Sequence, residues 1–289
     1  MSSFRSVGMH STVDQLNLDH FRDYEANYIR DIVTLTEKKL GPAIIKAVII
    51  FGSVAQQQTC HISDVDLLLI VDDQVPSKNI RSLIGYLRTI EIKHGFAQYP
   101  DNIFSTILNI VESTTGMFRS FFIARESDWF KGSFASIFGT SRFFTKILAP
   151  DQIVLNSVIC GSRVIFGDPK YISIRFPISV FQLIKSIMMD LTVSIGTLVI
   201  LPLNPKNMKY VLEAFKWALR SGFFYLFEKT EKLILIQQFF LKIGFSKRLL
   251  DKLNAYRTKL KMDIGFALSI PYQIVNVHNL ALKYKKILE

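Results

Sequence analysis

An apolar run ending in Gly-Ser, followed ten residues later by Asp-x-Asp at the head of a second apolar run, constrains this chain more than any other feature. The first run reads Ala47-Val48-Ile49-Ile50-Phe51-Gly52-Ser53; the second reads Ser63-Asp64-Val65-Asp66-Leu67-Leu68-Leu69-Ile70-Val71. Short apolar runs rich in branched residues and bounded by polar loops predict strands. Strand side chains alternate between faces, so Asp64 and Asp66 project to one side while Val65 points into the core. Two carboxylates held side by side repel, and a hard divalent cation between them resolves the conflict. Mg²⁺ takes oxygen ligands, typically one or two carboxylates plus phosphate oxygens. Gly52 lets a backbone approach closely, and successive N–H groups at a strand-to-helix turn form an anion-binding concavity. Gly52 and Ser53 are therefore candidate phosphate-binding residues, and Asp64 and Asp66 candidate metal ligands.

This stretch resembles the nucleotidyltransferase superfamily that includes DNA polymerase beta and the minimal and antibiotic-modifying nucleotidyltransferases. That family pattern is a hydrophobic strand, Gly-Ser or Gly-Gly, about ten residues, then Asp-x-Asp on a second strand. The Ser63-Asp64-Val65-Asp66-Leu67-Leu68 form is similar to the minimal members. The specific likeness spans roughly residues 45–112, with weaker support to 168. Many relatives carry Arg in the form Gly-Ser-x-Ala-Arg; here Gly52-Ser53-Val54-Ala55 is followed by Gln56. The resemblance implies two Mg²⁺ ions, with Mn²⁺ as a substitute. It also implies a nucleoside triphosphate, ATP foremost, and release of pyrophosphate as a nucleoside monophosphate passes to a hydroxyl.

The resemblance further implies a third carboxylate on a strand that follows a helix. Asn79 to His94 reads as that helix, with Ile80, Leu83, Ile84, Leu87 and Ile90 at helical spacing. The next apolar run, Phe104 to Val111, ends at Glu112, which becomes the candidate third metal ligand and general base. Asp101 is the alternative, and a strand-end surface role for Glu112 stays open. Cys60 and His61 lie together in the loop, but no second Cys/His cluster supports metal or nucleophile chemistry there.

Residues 1–150 hold 15 Lys/Arg and 15 Asp/Glu, whereas residues 151–289 hold 20 and 9, so the net charge of +11 belongs to the second half. Such a lobe could hold a polyanion, or be a solvated Lys-rich surface. With only two cysteines and no secretory signal, a cytoplasmic protein with free thiols is expected.

The reading is an α+β protein: a small mixed-sheet nucleotidyltransferase domain followed by an α-helical bundle. Residues 1–18 are expected to be a flexible N-terminus, 19–168 the nucleotidyltransferase domain and 169–289 the helical domain. Asp19 to Leu40 reads as a helix. Asp151 to Ser162 reads as the closing helix of the first domain and Arg163 to Phe166 as its last strand. The aromatics of 113–150, among them Phe118, Phe121, Phe122, Trp129, Phe134 and Phe138, read mainly as core, with a base-stacking wall as the alternative. Ser186 to Leu203 approaches transmembrane length, but Asp190 interrupts it. A buried helix without stable membrane insertion is expected. Asn207 to Phe227, Lys229 to Ile243, Lys247 to Lys261 and Val275 to Leu288 read as further helices.

Function is read as Mg²⁺-dependent nucleotidyl transfer to an unidentified acceptor: a small molecule, a protein or a nucleic-acid end. A homodimer is compatible with the sequence. The alternative is a catalytically weak, nucleotide-binding regulatory or antitoxin-like protein whose helical domain binds a partner. Among helical partner domains that act as RNases, the signature Arg, four residues, then His or Asn is approached only at Arg220 to Tyr225, where Tyr occupies the last position.

Overall fold

The computed structural model describes residues 11–55, 65–96 and 120–288. Contacts divide the chain into two units, Met1–Arg142 with Gly161–Ile174, and Phe143–Cys160 with Arg175–Glu289.

The first unit begins with helix α1 (Asp23–Leu40), whose Tyr28, Ile29, Ile32 and Val33 recur at three- and four-residue steps and are buried. It ends at Gly41, whose φ of 105° no helical residue adopts. Strand β1 (Ile45–Phe51) and strand β2 (Asp66–Val71) pair antiparallel in the register Ile50 to Leu67 and Phe51 to Asp66. One helical turn, α2 (Gly52–Ala55), follows β1 directly. Helix α3 (Ser77–Lys93) then leads towards strand β3 (Phe121–Arg125), which lies parallel to β2. Strand β4 (Arg163–Gly167) pairs antiparallel with β1 and completes a mixed sheet of order β3-β2-β1-β4.

The two faces of this sheet divide by strand alternation. Val48, Ile50, Leu67, Leu69, Phe121 and Ile123 join Tyr28, Ile29, Ile32, Leu83 and Leu87 in one buried core under α1 and α3. On the other face Phe122 meets Phe51 and Phe138, with ring centroids 5.9 and 5.0 Å apart. Phe138 belongs to the short helix α5 (Phe134–Phe138), reached through α4 (Glu126–Phe130). Phe121, Phe122, Trp129, Phe134 and Phe138 are all buried and serve as core, whereas Phe130 and Phe143 are exposed and Phe118 lies outside the described residues.

Strand β3 is the principal departure from the sequence reading. The strand expected at Phe104–Val111 lies outside the described residues, and the strand seen beside β2 occupies Phe121–Arg125, in a stretch whose spacing reads as a long connection.

The second unit is helical. It contains α7 (Asp151–Cys160), α8 (Val180–Ile200), α9 (Met208–Phe227), α10 (Leu233–Lys242), α11 (Lys247–Thr258) and α12 (Ile264–Leu288), while α6 (Arg142–Ile147) leads into it. Its core gathers Val211, Phe215 and Leu219 of α9 with Phe240, Leu253, Phe266, Ile270 and Ile274. Helix α12 starts eleven residues before the expected Val275 and carries Pro271 inside it. Packing of Phe266, Ala267 and Ile270 offsets the hydrogen bond that the proline removes.

The α8 segment also differs from expectation. Beside Leu183 it buries the polar residues Gln182, Lys185, Ser186, Asp190, Ser194 and Thr197. Phe181, Ile184, Met188, Ile195 and Val199 are exposed.

Candidate active site

The candidate site forms where the C-terminal end of β1 meets the N-terminal end of β2. Phe51 and Asp66 are cross-strand partners, so Gly52 sits beside the Asp66 carboxylate. Gly52 has φ of +71°, and a Cβ built on it would run into Asp66 Oδ2. Two requirements thus select glycine here: a left-handed backbone and contact with a carboxylate that leaves no room for a side chain. Asp66 is partly exposed, whereas Val65 before it is fully buried in the sheet core. This is the alternation read from the sequence: the aspartate on the open side, the valine inside.

Among the proposed site residues, the structure brings together Gly52 and Asp66. The backbone of Ser53 continues from Gly52 into α2. Asp64 and Glu112 lie outside the described residues, as do Asp101, Cys60 and His61. Among the described residues no group of three His, Cys, Asp or Glu side chains is placed to hold a metal ion. Within that limit the donor chemistry suits a hard cation: a carboxylate oxygen pressed against a glycine backbone.

The strand neighbouring Asp66 is anchored by residues that sequence reasoning missed. Leu67 N–H donates to Ser120 C=O at 2.9 Å, which puts Ser120 level with Asp66. Ser120 in turn donates its backbone N–H to Glu91 Oε1 at 2.9 Å and its hydroxyl to the same oxygen at 2.5 Å. With that hydroxyl proton committed, the Tyr28 O–H donates to Ser120 Oγ at 2.6 Å. All three side chains are buried. A sequence signal for this network existed: Glu91 follows Leu87 by four residues on the apolar stripe of α3, a position where an acid must be partnered. In β3, Phe122 and Ala124 lie on the same side of the sheet as Asp66 and both are buried, and no Asp or Glu occurs between residues 113 and 125.

The opposite end of the strands is tied down by different means. Lys46 pairs with Asp72 at 2.8 Å, which holds that carboxyl below its ordinary range. Arg125 donates to the Val75 carbonyl at 2.6 and 3.1 Å. Trp129 Nε1 donates to the Tyr171 carbonyl at 2.8 Å.

Comparison with known proteins agrees with this geometry. Residues 32–109 match the family model "Polymerase beta, Nucleotidyltransferase". No curated protein matches the chain significantly. Among solved structures, the chain is similar to spectinomycin adenyltransferase AAD(9) from Enterococcus faecialis, determined with ATP and spectinomycin. The likeness has a TM-score of 0.50 at 10% sequence identity and covers 89% of this chain and 98% of that one. The β1–α2–β2 arrangement around Gly52 and Asp66 thus lies within the stretch that matches the polymerase-beta nucleotidyltransferase family model, residues 32–109, and the chain's fold is similar to that of the spectinomycin adenyltransferase.

Proposed function

We propose that this protein is a metal-dependent nucleotidyltransferase that moves a nucleoside monophosphate, AMP foremost, from the triphosphate to a hydroxyl of a small-molecule acceptor. The observation that carries the reading is the Asp66 carboxylate packed on Gly52 at the head of a strand hairpin. The likeness to an adenyltransferase structure holding ATP and spectinomycin supports ATP as donor and a small alcohol as acceptor.

In this reading Asp64 and Asp66 hold divalent ions, Mg²⁺ or Mn²⁺, and Glu112 completes the set from the segment before β3. A bound divalent ion would supply charge neutralisation for the triphosphate. The backbone at Gly52 and Ser53 cradles the β- and γ-phosphates, since a glycine without Cβ leaves the N–H groups open to an anion. The acceptor oxygen attacks the α-phosphorus in line, and the bond from that phosphorus to the bridging oxygen breaks. Pyrophosphate leaves with the electron pair, and the acceptor proton passes to Glu112. Positioning and electrostatics supply the rate, as in other phosphoryl transfers. A cytoplasmic location fits a donor and acceptor of this kind.

The test is transfer of label from α-³²P-labelled nucleoside triphosphates, with Mg²⁺ or Mn²⁺, into aminocyclitol and other polyol acceptors. Asp66→Asn and Asp64→Asn are each expected to lower transfer at least about 10³-fold, since each removes charge aimed at the transferring phosphoryl, while leaving the unfolding temperature unchanged. Undiminished turnover in either variant would reject the assignment. A second reading, a nucleotide-binding regulatory protein, is favoured by one observation: β3 offers no acid beside Asp66. Metal-dependent nucleotide binding with no labelled product from any acceptor would favour that reading.

A further inference from the structure

Helix α12 is apolar on two faces over its first half. Phe266, Ala267, Ile270 and Ile274 belong to the core of the helical unit. On the outward side Leu260, in the turn before the helix, is 45% exposed, Ile264 53%, Leu268 62% and Tyr272 71%. These residues recur at steps of four, so from Ile264 onwards they form one stripe along the helix. The outward face turns polar beyond them, at the exposed Asn279 and Lys283. The stripe therefore adjoins α11 and the turn that leads from it.

Positive charge gathers at the same end. Seven Lys/Arg and two Asp/Glu lie from Lys242 to Asp263, so this short stretch supplies five of the eleven net positive charges of the chain. Lys247, Arg248, Arg257, Lys259 and Lys261 are exposed, and among the described residues none of them forms an ion pair. Lys247, Arg248 and Lys252 line an open groove of about 720 Å³ together with Asp251, Ala255 and Tyr256. Asp263 anchors the turn between the two helices. It accepts from Lys252 Nζ at 2.7 Å, from the Tyr256 O–H at 2.6 Å and from the Phe266 N–H at 2.8 Å. The basic groove and the apolar stripe are thus joined through one pinned turn that presents Lys259, Leu260 and Lys261 to solvent.

The two features together select the occupant by its chemistry. A nucleic acid would meet the cations with its phosphates but leave Leu260, Ile264 and Leu268 in water. An apolar protein groove would cover the stripe but gain nothing from the cations around it. A second copy of this basic chain would bring like charge against like. The surface of an anionic bilayer answers both features, because headgroup phosphates lie directly above an acyl boundary that takes up aliphatic side chains. Lys and Arg stems can lie along the apolar stripe while their charged ends stay among the headgroups. A tyrosine such as Tyr272 is favoured at the same depth. Clusters of this many exposed Lys/Arg beside an apolar helix face are sufficient for such a contact.

We propose that the turn 259–261, the outward stripe on the first half of α12 and the basic groove of α11 form one peripheral docking surface for an anionic lipid bilayer. Leu260, Ile264 and Leu268 enter the headgroup–acyl boundary, and the groove receives headgroup phosphates. No segment crosses the bilayer in this arrangement, and it does not depend on the nucleotidyl-transfer reading.

The test is flotation of the full-length protein with vesicles of phosphatidylcholine containing about one third phosphatidylglycerol, against vesicles of phosphatidylcholine alone. Wild type is expected to float with the first and not the second, and to be released as NaCl rises from about 0.1 to about 0.5 M. Lys259→Gln with Lys261→Gln is expected to weaken binding about 30-fold, or about 5-fold per charge removed at the surface. Leu260→Gln with Leu268→Gln leaves the charge intact and is expected to weaken it at least about 10-fold. All four positions are exposed, so far-UV circular dichroism and the unfolding temperature should not change in either variant. Wild type that stays with the soluble fraction would overturn the proposal. So would equal flotation with neutral vesicles, or binding that survives either pair of substitutions. Release from the anionic vesicles by a double-stranded RNA oligonucleotide that the leucine variant binds as tightly as wild type would assign the surface to a nucleic-acid polyanion instead.

Discussion

Helices α3 and α8 each bury an acid, and they treat it in opposite ways. In α3 of the sheet unit, Glu91 lies on the apolar stripe but accepts both the N–H and the hydroxyl of Ser120, with Tyr28 closing the network. In α8 of the helical unit, Asp190 is equally removed from water and has no hydrogen-bond donor among the described residues. Burial alone pushes the Asp190 carboxyl well above its ordinary range, and Ser186 one turn earlier pulls the other way without completing a hydrogen bond. The contrast separates two uses of a buried polar group. Glu91 specifies structure by fixing the start of β3 level with Asp66. Asp190 is buried with no hydrogen-bond partner among the described residues.

The comparison is open to breakage at several points. Glu91→Ala is expected to have the largest effect. It strands two buried donors and opens a void, so stability should fall by about 4 kcal/mol, and nucleotidyl transfer should weaken with it. Chemical denaturation checks the first effect and labelled-nucleotide turnover the second. A loss below about 1 kcal/mol would return Glu91 to the status of a tolerated core acid.

The next effect is pH-dependent. His278 of α12 is fully buried and partnered, its Nδ1–H donating to the Ile274 carbonyl at 2.7 Å and its Nε2 lying 3.2 Å from Ser221 Oγ. Burial lowers its pKa to about 4. The folded helical unit therefore holds the neutral ring while the unfolded chain takes up a proton near pH 6.5. Stability is full above that value and falls as pH drops from about 6.5 to 4, by up to about 3 kcal/mol. Unfolding curves at pH 7, 5.5 and 4.5, compared with His278→Gln, measure this; a slope unchanged in the variant would assign it elsewhere.

Asp190→Asn comes third and has the opposite sign. Replacing a carboxyl that folding forces to stay protonated should raise stability by about 1–2 kcal/mol at pH 7. The gain should grow with rising pH, because the raised folded pKa means that stability is lost as pH climbs past the unfolded value. Thermal melts at pH 5 and 8 decide it. The smallest effect is expected from Ser186→Ala. With no hydrogen bond to Asp190 to lose, it should shift stability by less than about 0.5 kcal/mol; a larger loss would show that Asp190 has a partner after all.

Much of the sheet unit was legible from local pattern. Period-two alternation put Val65 inside and Asp66 outside, and a glycine between strand and turn had a function before its clash with Asp66 was seen. Helices α1 and α3 followed from apolar residues at three- and four-residue steps. What escaped was the partner of β2. The apolar runs 104–111 and 121–125 look alike over five residues, and only pairing in parallel with Leu67–Val71 picks out the second. The Glu91–Ser120–Tyr28 network escaped for the same reason, since its members are 29 and 92 residues apart.

The sequence by itself determined the α+β class, the hairpin with Gly52 and Asp66 on one side, and the helical character of the second half. These follow from interactions within a few residues, where propensity and periodicity act. Tertiary structure decided the strand order β3-β2-β1-β4, the anchoring of Ser120 beside Asp66, and the face that α8 turns inwards. Periodicity assigns a helix its two faces and gives the default that the apolar one is buried. The orientation is set instead by the sum of contacts from residues distant in sequence, and in α8 that sum placed Asp190 inside and Phe181, Ile195 and Val199 in contact with water.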